Sequence, residues 1–289
     1  MFKRNIIELK KIYEQNKVLL KKIKNEDDEL YIAFRSDENQ NKDYISIYYG
    51  SVVFALLDKN GIGYNYSDSI KKGAQEFFEG LDKCADKNEY YFEKRKLLKD
   101  AIEETSFYKR QAERNKETLL GKKFDIDSDK RSVVLDVEAK IPEDEGIVGE
   151  NNNKKSPEID MVVYDSIKNV IYLTEYKCKE RSVKDNKAGI IQHYSDMKQI
   201  IEKCGENFVK SEIDVYNMMT GKTIDYRTVK LKIALCFSDI NRKKIVNALD
   251  GIENKDEIYV WYGDELEDVQ LSVDPITVSE FIKNSSAGD

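Results

Sequence analysis

The chain has 289 residues, with 48 Lys or Arg against 55 Asp or Glu, and a net charge of −7. That length allows one large domain or two modest ones with a real core. The charge argues against a protein that coats nucleic acid indiscriminately. Cys84, Cys178, Cys204 and Cys236 are scattered without C-x-x-C pairs or histidines at zinc spacing, so they read as free thiols of a reducing compartment. The start, MFKRNIIELKKIYEQ, is interrupted by charges, and no later run reaches spanning length. Neither a signal peptide nor a membrane span is expected, and the cytoplasm is the expected location.

Phe2, Ile6, Leu9, Ile12, Leu19 and Ile23 recur at helical spacing and predict an amphipathic helix ending near Asn25. Four short runs rich in β-branched and aromatic residues follow, starting near Leu30, Tyr44, Ser51 and Gly61, with polar links between them. They predict an antiparallel meander. Residues 1–85 thus read as a helix plus a small sheet, and residues 86–289 as a second domain. Tyr44, Tyr48, Tyr49, Tyr64 and Tyr66 could stack on bases, but packing is the commoner use of strand aromatics. From Asn88 to Leu120 the pattern is helical, and Gly121 is the expected C-cap. Basic residues outnumber acidic ones from Phe92 to Lys123, whereas acids dominate from Asp250 to Asp268.

Ser132–Ile141 alternates as a strand, with Val133, Leu135, Val137 and Ala139 on one side and Asp136 and Glu138 on the other. A carboxylate in such a strand costs desolvation unless a cation or hydrogen-bond donor meets it. The polar segment from Pro142 to Lys155 is long for a connection within a domain, and reads either as a mobile flap or as an insertion without function. Two β-rich runs, Glu158–Asp165 and Val170–Lys177, then flank a short polar link and predict a hairpin. If Asp165 pairs with Val170, Asp160 stands opposite Glu175, and the period of two adds Lys177 to the same face. A slip of one residue would send Asp160 to the other face.

Lys184–Cys204 reads as a helix with Ile190, Ile191, Tyr194, Met197, Ile200 and Ile201 inward, and with Gln192, His193 and Asp196 near the edge of that stripe. Leu231–Ser238 is nearly continuously apolar and predicts a buried central strand. A short helix over Asn241–Leu249 and a strand near Ile258–Tyr262 follow. Gly221-Lys222-Thr223 is not a phosphate loop, because that motif needs glycine where Tyr216 stands.

Pro157-Glu158-Ile159-Asp160 followed by Glu175-Tyr176-Lys177 resembles the signature of the PD-(D/E)xK nuclease superfamily, with two residues inserted between the proline and the aspartate. The resemblance covers roughly the middle third of the chain. It implies an α+β fold with a restriction-endonuclease-like core, a central mixed sheet flanked by helices. It also implies Mg²⁺- or Mn²⁺-dependent cleavage of nucleic acid, DNA ahead of RNA, with a homodimer among the assemblies it allows. A divalent cation lowers the pKa of its water and screens the phosphate. Asp160 and Glu175 supply hard oxygen ligands, the carbonyl of Tyr176 could add another, and Glu138 is the candidate third carboxylate. Asp136 is a weaker one. Lys177 suits electrostatic stabilisation and positioning of the attacking water. Substrate contacts are expected from Gln192, His193 and Tyr194, and from Gln111 and Arg114 on the earlier helix. Relatives often place a glutamine and a tyrosine after the motif, but at a different spacing. His193, the one histidine, reads as a satisfied residue ahead of a general base. Two other readings stay open: a nuclease-fold protein without turnover that binds nucleic acid or a protein, and a purely structural α+β protein.

Overall fold

In the computed structural model, which describes residues 4–37, 42–63, 66–126, 128–141, 157–183 and 189–286, the opening stripe forms two helices rather than one. They are α1 (Ile6–Gln15) and α2 (Lys17–Glu26). The break falls at Asn16, which is buried and whose side-chain amide donates to the Ile12 carbonyl at 2.9 Å. An asparagine that competes in this way for a helical carbonyl favours a turn over continuation.

The meander follows as β1 (Leu30–Asp37), β2 (Lys42–Tyr49), β3 (Val52–Asp58) and β4 (Gly61–Gly63), antiparallel in sequence order. Packing is indeed what its tyrosines do where they are buried. Tyr49 stacks on Tyr108 with ring centroids 5.4 Å apart, and the Tyr66 hydroxyl donates to the Phe54 carbonyl. Tyr44 and Tyr48 are half-buried, and Tyr64 lies outside the described residues.

Six helices come next: α3 (Asp68–Gly73), α4 (Gln75–Lys83), α5 (Lys87–Glu93), α6 (Arg95–Glu103), α7 (Ser106–Arg110) and α8 (Ala112–Lys123). The single helix expected from 88 to 120 is therefore four, and Gly121 lies inside α8 instead of capping it. Thr105 begins α7 as an N-cap, its Oγ1 accepting from the Tyr108 N–H at 3.2 Å. Asn115 accepts from the Ser51 N–H at 2.8 Å and donates to the Tyr108 carbonyl at 3.1 Å, joining α8 to the meander.

The chain divides into two compact units between Lys123 and Phe124, not near residue 85. All the helices from α3 to α8 belong with the meander. Periodicity shows that a helix has an apolar face but not which sheet that face will meet, so the boundary was misplaced by nearly forty residues.

The second unit holds a six-stranded mixed sheet in the order β10-β9-β8-β7-β6-β5. Its strands are β5 (Ser132–Lys140), β6 (Glu158–Asp165), β7 (Val170–Lys177), β8 (Lys230–Phe237), β9 (Ile258–Tyr262) and β10 (Ile276–Thr277). β5, β6 and β7 are antiparallel, while β7, β8 and β9 are parallel. β8 is central and largely buried, as its apolar run predicts. The helices are α9 (Glu180–Val183), α10 (Ile190–Thr220), α11 (Arg242–Leu249) and α12 (Val278–Ser286). This is a mixed α+β chain with two sheets. Among the described residues no helix is long and apolar enough to cross a membrane.

α10 runs 31 residues, well past the expected end at Cys204. Gly205 does not stop it. A Cβ there would come within 3.2 Å of the Leu231 side chain, so the glycine marks a close approach of helix to strand. Buried Met197, Ile200, Cys204, Phe208, Ile213 and Tyr216 extend the stripe, and each large apolar side chain so covered contributes about 1.5–3 kcal/mol. The helix ends at Gly221, whose φ of 71° is the left-handed C-cap conformation. The four cysteines are free, three of them buried. The segment from Pro142 to Lys155, read above as a flap or an insertion, lies wholly outside the described residues.

Candidate active site

Turn chemistry fixes the register of the hairpin. Asp165 Oδ1 accepts the N–H groups of Ile167 and Lys168 at 3.0 and 2.9 Å, forming an Asx turn. Asn169 takes the left-handed conformation, φ 54°, that this four-residue link requires. Arg131 meets the buried Asp165 carboxylate through both Nε and Nη2. With Asp165 paired to Val170, the ladder runs outward to Met161 opposite Thr174. The ladder ends there, one residue short of Asp160 and Glu175.

Beyond that end the Asp160 side chain takes over from the backbone, its Oδ2 accepting the Tyr176 N–H at 2.8 Å. The N–H and C=O of one strand residue point to the same side, so the Tyr176 carbonyl also faces the Asp160 edge of β7. Lys177 Nζ bonds Glu175 Oε1 and lies 3.8 Å from Asp160 Oδ2. Period-two alternation therefore unites two acids and a lysine on one face. α10 covers that face, since Tyr164, on the same side of β6 as Asp160, packs edge-on against Tyr216 at 5.0 Å.

The site is dry on one side and open on the other. Glu175 is 2 % exposed and Lys177 6 %, while Asp160 is partly exposed. Burial, reinforced by the charge of Asp160, pushes the Glu175 carboxyl well above the usual carboxylate range, and the Lys177 ammonium offsets this only in part. His193, in the first turn of α10, brings Nδ1 to 3.3 Å from Glu175 Oε2. That contact was not read from the sequence, where His193 was placed with the substrate-facing residues. Its signal would have been position alone, one turn into a helix that packs on the hairpin.

Glu138 lies in the same row. Val137 pairs with Met161 and Ala139 with Ile159, so Glu138 falls opposite Asp160 across β5 and β6. Its backbone is left-handed, φ 53°, a conformation that costs a non-glycine residue about 1–2 kcal/mol and interrupts regular pairing there. Asp136, 1 % exposed, follows a bulge between Val134 and Asp136, and its Oδ1 accepts the Val137 N–H at 2.7 Å.

Among the described residues, no three His, Cys, Asp or Glu side chains converge closely enough to hold a metal ion, so Glu138 is not drawn in as a third carboxylate donor. Two carboxylates and a carbonyl on one edge still suit a small hard cation, because Mg²⁺ keeps most of its waters and needs only one or two carboxylates. Burial favours the protonated Glu175 carboxyl and Lys177 offsets this only in part, so a cation at that edge would favour its ionised form further.

The remaining expected residues are placed elsewhere. Gln192 Nε2 donates to Asp196 Oδ1 at 3.0 Å along the helix. Tyr194 lines a cleft of about 390 Å³ with Lys198, Leu231, Ile233 and Tyr259. Gln111 and Arg114 belong to the first unit, at the end of α7 and in α8, and are not part of the unit that carries the hairpin.

A larger cleft, about 680 Å³, lies at the C-terminal ends of β8 and β9 and is lined by Asn241, Arg242, Lys243, Tyr262, Asn284 and Ser285 among others. Because β7, β8 and β9 are parallel, this is the same sheet edge as Lys177. The sequence reading missed it, for α12 supplies one wall and was not anticipated. Arg242 is held there by Ser285 Oγ, which accepts from its Nε at 2.7 Å, and over the Phe281 ring at 4.6 Å. Asp239, Asp264 and Glu265 share the cleft, so its charge is mixed.

Fold and site together define a class, an α+β chain with an acid-acid-lysine cluster at the carboxyl edge of a mixed sheet. No protein-family model, curated protein or solved structure was found to match the chain.

Proposed function

We propose that this chain is a metal-dependent nuclease with a restriction-endonuclease-like core in its second unit, hydrolysing phosphodiester bonds of nucleic acid, DNA ahead of RNA. One observation carries the reading. The lysine that would face the phosphate has its Nζ bonded to Glu175 and 3.8 Å from Asp160, with all three residues at the end of adjoining strands. A surface arrangement of cross-strand ion pairs has no reason to bury its glutamate and lysine so completely.

In this reading Asp160, Glu175 and the Tyr176 carbonyl hold Mg²⁺ or Mn²⁺, which would acidify a bound water and screen the phosphate. Lys177 stabilises negative charge that builds on the phosphoryl oxygens, and its burial strengthens that effect by keeping the local dielectric low. The hydrogen bond from the Tyr176 N–H fixes the Asp160 carboxylate in place, so little reorganisation accompanies the reaction.

The test uses labelled single- and double-stranded DNA and RNA with Mg²⁺ or Mn²⁺, comparing wild type with Asp160→Ala and Lys177→Ala. Cation-dependent cleavage should fall by about a hundredfold or more in each folded variant. Full activity in a folded Lys177→Ala protein sinks the mechanism.

A second reading has its own observation. Both Glu175 oxygens meet protein groups, and Asp160 is tied to a backbone amide, so the cluster is already internally satisfied. A nuclease-fold protein without turnover, binding nucleic acid or a protein partner, would look like this. Calorimetry separates the two: the enzyme binds Mn²⁺ through Asp160 and Glu175, and the binding module does not.

A further inference from the structure

Glu175 is gripped at both carboxylate oxygens by groups of different origin. Oε1 meets Lys177, two residues along the same strand, while Oε2 meets His193 Nδ1 from α10. The two grips differ physically. A lysine on the same strand has four side-chain torsions and can follow the glutamate as it turns. An imidazole has two, and His193 stands on a 31-residue helix whose buried stripe runs through Met197, Ile200 and Cys204. It is the stiffer partner, and the one anchored outside the strand.

We propose that His193 is a positioning residue for Glu175: its Nδ1 edge sets the orientation of that carboxylate beside Asp160, and thereby the affinity of the pair for a divalent cation, rather than contacting nucleic acid. Glu175 is 2 % exposed, so water is not at hand to replace a missing partner at Oε2. Without the imidazole, the carboxylate turns to recover that contact and leaves the geometry it shares with Asp160. Residues that orient a metal-binding side chain typically influence affinity or rate by about 10–100-fold. The cation half of this proposal rests on the nuclease reading, whereas the orientation of Glu175 does not.

The experiment compares wild type, His193→Ala, His193→Asn and His193→Gln, all checked for folding by circular dichroism. An asparagine amide occupies the place of imidazole Nδ1 and a glutamine amide that of Nε2, so the two variants separate the nitrogens. Three quantities are read: the ¹³Cδ resonance of Glu175, identified by its loss in Glu175→Gln; Mn²⁺ affinity by calorimetry; and kcat and KM on a DNA substrate. In His193→Ala the resonance should shift, and Mn²⁺ affinity and kcat should fall about 10–100-fold with KM within about twofold. His193→Asn should restore all three, and His193→Gln should not.

An unshifted resonance in His193→Ala overturns the proposal, as does rescue by glutamine but not asparagine, or a rise in KM alone. A wild-type protein that neither binds Mn²⁺ nor cleaves nucleic acid ends the nuclease reading and the cation half with it. The Glu175 resonance then still decides, by itself, whether His193 orients that carboxylate.

Discussion

Removing the Lys177 charge while leaving Glu175 in place should damage the fold far more than neutralising both. Lys177 is 6 % exposed and sits against a glutamate that is 2 % exposed, with Asp160 Oδ2 3.8 Å away. Lys177→Met keeps most of the side-chain volume but strands a buried carboxylate beside a second one. Breaking a buried pair from one side costs about 3–5 kcal/mol, because the remaining charge is left uncompensated in a poor solvent. For a unit of this size that corresponds to a fall in Tm of roughly 6–20 °C. Lys177→Met combined with Glu175→Gln removes both charges at nearly constant shape. Replacements of that kind range from neutral to about 4 kcal/mol stabilising, so the double variant should recover most of the loss. Calorimetric melting of wild type, both single variants and the double variant gives the coupling energy, expected at about 2 kcal/mol or more for residues in direct contact. The chain has two compact units, so the transition that moves is assigned to the second by comparison with a destabilising change in the first. A Lys177→Met protein within about 1 kcal/mol of wild type, or a double variant equal to the sum of the singles, refutes the claim that the pair is buried and coupled.

Two further predictions concern the first unit. Burial alone would raise the Asp27 carboxyl, but Lys99 and Arg95 outweigh it and hold Asp27 below the usual carboxylate range, with Lys99 also bonding Glu29. Its folded pKa lies below the unfolded one, so the stabilisation is present in full above the ordinary value near about 4 and disappears as pH falls through the lower folded value. Asp27→Asn should therefore flatten the acid limb of the stability curve, measured by urea unfolding from neutral pH downward, and an unchanged limb would count against the pairing. Gly50 has φ 51°, and a Cβ there would meet Asn115 Oδ1 at 2.5 Å. Gly50→Ala should then cost about 2 kcal/mol or more by strain and by disturbing the Asn115 bond to Ser51, read as a lowered Tm; a neutral result contradicts the tight approach.

How much of this was readable in the sequence depends on the distance over which each feature is specified. The hairpin was readable because everything that sets it is local: the Asp165 Asx turn, Asn169 in a left-handed position, and two runs obeying period two. Asp160, Glu175 and Lys177 follow from that register alone. The meander of β1 to β4 was readable for the same reason. The division of the chain was not, since the apolar residues that α5 and α6 bury do not say which sheet they cover, and only long-range packing assigns α5 to α8 to the meander. α10 runs past its expected end at Cys204 because the stripe of buried apolar residues continues beyond it, and Gly205 within it permits close approach to Leu231 rather than ending the helix.

Glu138 shows where pattern and chemistry part. Alternation put it on the side of Asp136, and register indeed places it opposite Asp160, so three carboxylates occupy one row across β5, β6 and β7. A regular strand would press their charges together on one face, which is unfavourable without a cation between them. In the structure β5 is bulged near Leu135 and left-handed at Glu138, while the β6–β7 ladder ends at Met161 and Thr174 and the Asp160 side chain takes the Tyr176 N–H. The row therefore separates into Asp160 and Glu175, with Lys177 beside them, and a third acid carried on strained backbone. If the cation binds as proposed, Glu138 is the member of the row whose position should change, and Mn²⁺-dependent broadening of its resonances alongside those of Asp160 and Glu175 is the expected signature. Broadening confined to Asp160 and Glu175 would leave Glu138 as a residue of the bulge and nothing more.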